Sequence, residues 1–129
     1  MDYEVIDSFA DVENISYKSQ VLLFTYRAEK GEGERNALHE FESEVLPYIS
    51  SLVKERGVKV FWSNVGGIVR YSDLANYLKK KNLRACGCFL IENGEIVELK
   101  KLGRFVALPE EYINAAKEIL GSLGSTSKG

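Results

Sequence analysis

Apolar residues along the chain alternate between short continuous runs and longer stretches with helical spacing. Val21-Leu22-Leu23-Phe24-Thr25-Tyr26 is an unbroken apolar and aromatic run. It is too short for an ordinary helix and suits a strand buried on both faces. Leu38, Phe41, Val45, Ile49 and Leu52 then recur at steps of three and four, which predicts a helix over 35–56 with one apolar face. Pro47 interrupts it and should kink it, because an interior proline removes one backbone hydrogen bond. Gly57 ends it.

The rest of the chain continues the alternation. A second strand is predicted over 58–62, and Gly66-Gly67 makes a turn. Leu74, Tyr77 and Leu78 mark a helix over 73–81, whose Lys79-Lys80-Lys81 end suits its C-terminal dipole. Strands over 85–91 and 96–102 flank Asn93-Gly94, which reads as a hairpin. Pro109 at a first helical position, followed by Glu110 and Glu111, starts a last helix. Its inward face carries Tyr112, Ile113, Ala116, Ile119 and Leu120. Upstream, 3–6 is a short edge strand and Ser8 caps a short helix over 9–15. The segment 29–34 reads as an exposed charged loop, and 121–129 as a mobile Gly/Ser tail.

This order places the first two core strands parallel, joined by a right-handed helical crossover, with an antiparallel pair closing the sheet. It resembles the thioredoxin-like superfamily. Val21 to Tyr26 is similar to that family's central strand, and Pro47 to its helix-kinking proline. Leu83-Arg84-Ala85-Cys86-Gly87-Cys88 is similar to the segment holding its cis-proline. Asn93-Gly94-Glu95 matches its hairpin turn, and Gly103 its glycine after the fourth strand. The resemblance implies an α/β three-layer fold: a mixed sheet of four to five strands with helices on both faces. It implies a single domain over 1–121 and a flexible tail over 122–129.

The chain departs from the family where the chemistry resides. It contains no Cys-x-x-Cys. Counting from the first strand puts Lys30-Gly31-Glu32-Gly33 at that position. Counting back from Pro47 puts His39-Glu40-Phe41-Glu42 there, with about nine residues inserted in the preceding loop. The second count is preferred, because loops absorb insertions better than helices do. Phe24 sits near the family's buried aspartate. Gly87 replaces the cis-proline, so no cis bond is expected. In the Pro47 register His39 faces the loop that holds Cys86 to Cys88, and His39, Phe41 and Gly87 are the expected partner-binding residues.

Composition narrows the function further. A chain of 129 residues with 45% hydrophobic residues fills one core. A net charge of -2, from 17 basic and 19 acidic residues, gives no electrostatic case for nucleic acid or an anionic membrane. The start, Met1-Asp2-Tyr3-Glu4, lacks the basic and apolar regions of a signal peptide. No apolar run reaches the roughly 20 residues of a membrane-spanning helix. A cytoplasmic protein is the expectation. No cofactor is implied, and the oligomeric state is left open.

Cys86 and Cys88 are the only cysteines. In an extended strand their Cα atoms would lie about 6.6 Å apart on one face, at the upper limit of roughly 4.4–6.8 Å for a disulfide. Gly87 could relax that geometry. Three readings follow: a strained redox pair, a metal site completed by His39, or small buried hydrophobes packed between sheet and helix. Glu40, Glu42 and Glu44 read as a solvated helix face. The leading expectation is a non-catalytic thioredoxin-like binding or adaptor module for a protein or peptide. The alternative is an atypical thiol-disulfide oxidoreductase with Cys86 and Cys88 as its catalytic pair.

Overall fold

The computed structural model describes residues 3–66 and 73–128, with side chains through 121. Its elements are β1 (Glu4–Val5), α1 (Phe9–Ser16), β2 (Val21–Tyr26), α2 (Glu32–Glu40), a π-helical turn (Phe41–Val45), α3 (Leu46–Arg56), β3 (Lys59–Asn64), α4 (Asp73–Lys80), β4 (Cys86–Glu92), β5 (Glu95–Gly103) and α5 (Pro109–Lys128). The strands form one sheet in the order β1-β3-β2-β4-β5.

The continuous apolar run is central, as its pattern predicts: every residue of β2 is buried. It pairs parallel with β3 and antiparallel with β4, where Phe24 faces Cys88 and Thr25 faces Gly87. Alternation along the strands divides the core in two. Leu22, Phe24, Trp62, Cys86 and Cys88 join Phe41, Ile49, Tyr112 and Ile119 on one face of the sheet. Leu23, Phe61, Phe89 and Ile91 join Val12, Leu74 and Leu78 on the other. Helices therefore cover both faces, and the expected three-layer architecture is present.

The long helix differs from expectation in its middle. Pro47 lies in the first turn of α3, where a missing N–H removes no helical bond. The preceding residues open into the π-helical turn, closed by the Leu46 N–H donating to the Phe41 carbonyl. In a continuous α-helix the Pro47 ring would meet the Ser43 carbonyl, and the wider turn relieves that contact. At the other end Gly57 takes φ 66°, and the Val58 N–H reaches back to the Val53 carbonyl at 3.2 Å. This Schellman cap ends the helix where the glycine predicts.

Three further expectations fall differently. The helix starts at Glu32, so part of the predicted charged loop is helical. The backbone of α5 continues through the segment read as a tail, although its side chains beyond 121 lie outside the described residues. Gly67, half of the predicted Gly66-Gly67 turn, also lies outside them. No helix among the described residues is long and apolar enough to cross a membrane.

Candidate functional site

β2 ends at Tyr26 and α2 begins at Glu32, so Lys30-Gly31-Glu32-Gly33 occupies the helix start. Gly31 is its N-cap, at φ 88°. The helix start thus falls at the four residues reached by counting from the first strand, and His39-Glu40-Phe41-Glu42, the preferred position, lies at the far end of α2 and in the π-helical turn. Asn64 fastens the junction of β2 and α2. Its side chain accepts from the Ala28 N–H at 3.1 Å and the Gly66 N–H at 3.0 Å. It donates to the Ala28 carbonyl at 2.9 Å and to Glu34 Oε2 at 2.7 Å.

The expected partner-binding residues do not form one surface. His39 is exposed, near the end of α2. Phe41 is 0% exposed, held among Tyr3, Phe24 and Tyr26 at ring-centroid distances of 5.5, 5.0 and 5.9 Å. An apolar ring on the turn that faces the sheet is drawn into the core, out of a partner's reach. Gly87 is buried as well. A Cβ placed on it would come within 2.8 Å of the Lys100 carbonyl oxygen and 3.2 Å of the Phe89 ring.

Cys86 and Cys88 are free thiols, 2% and 0% exposed. Both lie on the α5 side of the sheet. Burial pushes the Cys88 thiol far above its ordinary range, so it stays protonated. Tyr112 lies beside this pair. Its hydroxyl donates to the Thr25 carbonyl at 2.7 Å. Burial first, then the Cys86 thiol, raises the Tyr112 phenol. The Thr25 hydroxyl donates to the Ala85 carbonyl at 2.7 Å, pinning the approach to β4. These groups build a sealed polar seam inside the core. A nucleophilic thiol needs a thiolate and access, and Cys88 has neither.

His39 is not brought to the cysteines. Among the described residues no group of three His, Cys, Asp or Glu side chains could hold a metal ion. Of the acidic run, Glu42 and Glu44 are exposed, and Glu42 accepts from the Tyr3 hydroxyl at 2.7 Å. The Glu40 carboxyl is raised by partial burial and then by Glu44 one turn away.

A different surface has chemical character. An open cleft of about 430 Å³ lies between the end of α4 and β5, lined by Lys79, Arg84, Lys101 and Arg104. Asn82, at φ 62°, is the left-handed residue of a Schellman cap on α4, with the Leu83 N–H bonded to the Leu78 carbonyl at 2.8 Å. That cap turns the chain toward β4 and carries Lys79 and Arg84 to one side. Arg84 Nε donates to the Val65 carbonyl at 2.7 Å. Beside the cleft Phe105, Val106 and Leu108 are 59%, 76% and 58% exposed. The cleft is not legible in the sequence because its cations come from separate elements. A local signal exists in Phe105-Val106-Ala107-Leu108, an apolar run without strand or helix period after Gly103.

At the level of sequence, no protein-family model and no curated protein matches the chain. Solved structures do. The oxidised thioredoxin of Plasmodium falciparum superposes with a TM-score of 0.56 at 14% identity, over 95% of this chain and 98% of that one. The thioredoxin of Trypanosoma brucei brucei gives 0.56 at 12% identity, over 99% and 93%. That of Fasciola hepatica gives 0.54 at 16% identity, over 92% and 97%. With the β1-β3-β2-β4-β5 sheet between its two helical layers, the chain has the thioredoxin-like fold.

Proposed function

We propose that this domain is a non-catalytic thioredoxin-like module that binds a protein or peptide. The observation that carries the reading is the placement of sulfur. The helix start holds Lys30-Gly31-Glu32-Gly33, and both thiols are sealed beneath α5. Free buried thiols also suit a reducing compartment such as the cytoplasm.

The test is alkylation of native and unfolded protein, with and without reductant, read by intact mass. Both thiols should stay unmodified in the native protein under either condition, and both should react once it is unfolded. Rapid native labelling after reductant, with disulfide-reducing activity that Cys86→Ser abolishes, would overturn the proposal. That result would favour an oxidoreductase working through Cys86 and Cys88.

A further inference from the structure

We infer that the basic cleft between α4 and β5 is the docking site of this module and that its occupant is an acidic peptide segment carrying an apolar side chain. The inference rests on the binding-module reading and gives it a partner chemistry.

Charge is the first argument. Lys79, Arg84, Lys101 and Arg104 line the cleft, and among the described residues that line it none is acidic. The chain as a whole is acidic, with a formal charge of -2. A local concentration of positive charge against that background focuses potential onto one concave surface. The backbone at the cleft is tightly packed. Gly87 pairs with Lys101, and a side chain there would strike Lys100 and Phe89. At Gly103 an added Cβ would collide with the Val106 carbonyl oxygen.

The adjoining loop is the second argument. Arg27 Nη1 donates to the Arg104 carbonyl at 2.9 Å. The Arg27 and Arg104 guanidinium carbons lie 4.7 and 5.6 Å from the centre of the Phe105 ring. Phe105 is thus held in place by two cations while more than half exposed. With Val106 and Leu108 it forms an apolar shelf at the rim of the charged cleft. Carboxylates in the cleft and an apolar side chain on the shelf satisfy both surfaces. A nucleic acid fits less well, because its extended polyanion would also meet the net negative charge of the rest of the domain.

The probe is a short fluorescein-labelled peptide alternating Glu and Leu, followed by anisotropy. Two companions are its Gln-for-Glu counterpart and a labelled oligo-dT strand. The acidic peptide should bind, weaken as salt rises, and lose about tenfold or more in affinity in Lys101→Glu/Arg104→Glu. Phe105→Ser should weaken it at all salt concentrations. Thermal unfolding of each variant separates lost binding from lost folding. No binding of the acidic peptide, or equal binding by a folded charge-reversal variant, overturns the inference. Tighter binding of oligo-dT replaces it with a nucleic-acid site. The Cys86→Ser/Cys88→Ser variant keeps the two proposals apart. If peptide binding persists in it while a disulfide-reducing activity disappears, the module reading fails and the cleft stands.

Discussion

The Tyr112 hydroxyl donates to the Thr25 carbonyl at 2.7 Å, tying α5 to the central strand through the middle of the core. The ring also stacks on Tyr26 with centroids 4.2 Å apart and planes 6° from parallel. Tyr112→Phe keeps the stack and strips a partner from a buried carbonyl, so it should cost about 1–2 kcal/mol. Tyr112→Ala removes the ring as well and should cost about 3–5 kcal/mol. Urea midpoints with an unchanged slope would check both values.

Alkaline pH should weaken the fold. Cys88, Tyr26 and Tyr112 are all raised by burial above ordinary values of 9.0, 10.0 and 10.0. As pH rises past these values the unfolded chain releases protons that the folded chain retains. Their contribution to stability is thus full below about pH 9 and falls above it, by at most about 1.4 kcal/mol per pH unit for each group. Urea midpoints measured across this range should drop. Cys88→Ala should flatten the first part of the decline.

Three glycines should respond differently to alanine. Gly87→Ala presses a methyl group against the Lys100 carbonyl oxygen and the Phe89 ring, and should cost about 1–3 kcal/mol. Gly103→Ala meets the Val106 carbonyl oxygen, so it should also destabilise and should shift the amide signals of 104–106. A methyl group added at Gly121, within α5, meets nothing within 4 Å. Gly121→Ala should therefore stabilise by about 0.4–1 kcal/mol. Thermal melts of the three variants would rank them.

Asn64→Ala should loosen the start of α2. The change removes all four bonds made by the Asn64 side chain, including the one to Glu34. A loss of about 1–3 kcal/mol is expected. Amide hydrogen exchange should accelerate at Ala28 and over 32–35, with little change in β4.

What can be read from sequence follows from where apolar patterns are strongest. The β2 run, the Asn93-Gly94 hairpin, Gly57 and Pro109 each carry a local signal that the tertiary structure reinforces. The start of α2 is harder to locate. No residue of α2 is buried, so its first turns lack the apolar face from which a helix is recognised. Gly31 and Gly33 also read as loop residues. The π-helical turn is equally hidden, because Phe41 and Val45 keep a spacing of four residues. The basic cleft requires the fold itself, since only the α4 cap and the β4–β5 pairing bring Lys79 near Lys101.

Trp62 is the sole tryptophan, 1% exposed within the sheet, with its indole N–H unpartnered among the described residues and Tyr26 5.5 Å away. A fluorophore so shielded should emit toward the blue and shift red when water reaches it. Light absorbed by Tyr26 and Tyr112 should pass to it while the layers remain closed. The domain thereby contains its own optical gauge: one emission spectrum reports whether the packing beneath α5 is intact, without any attached dye.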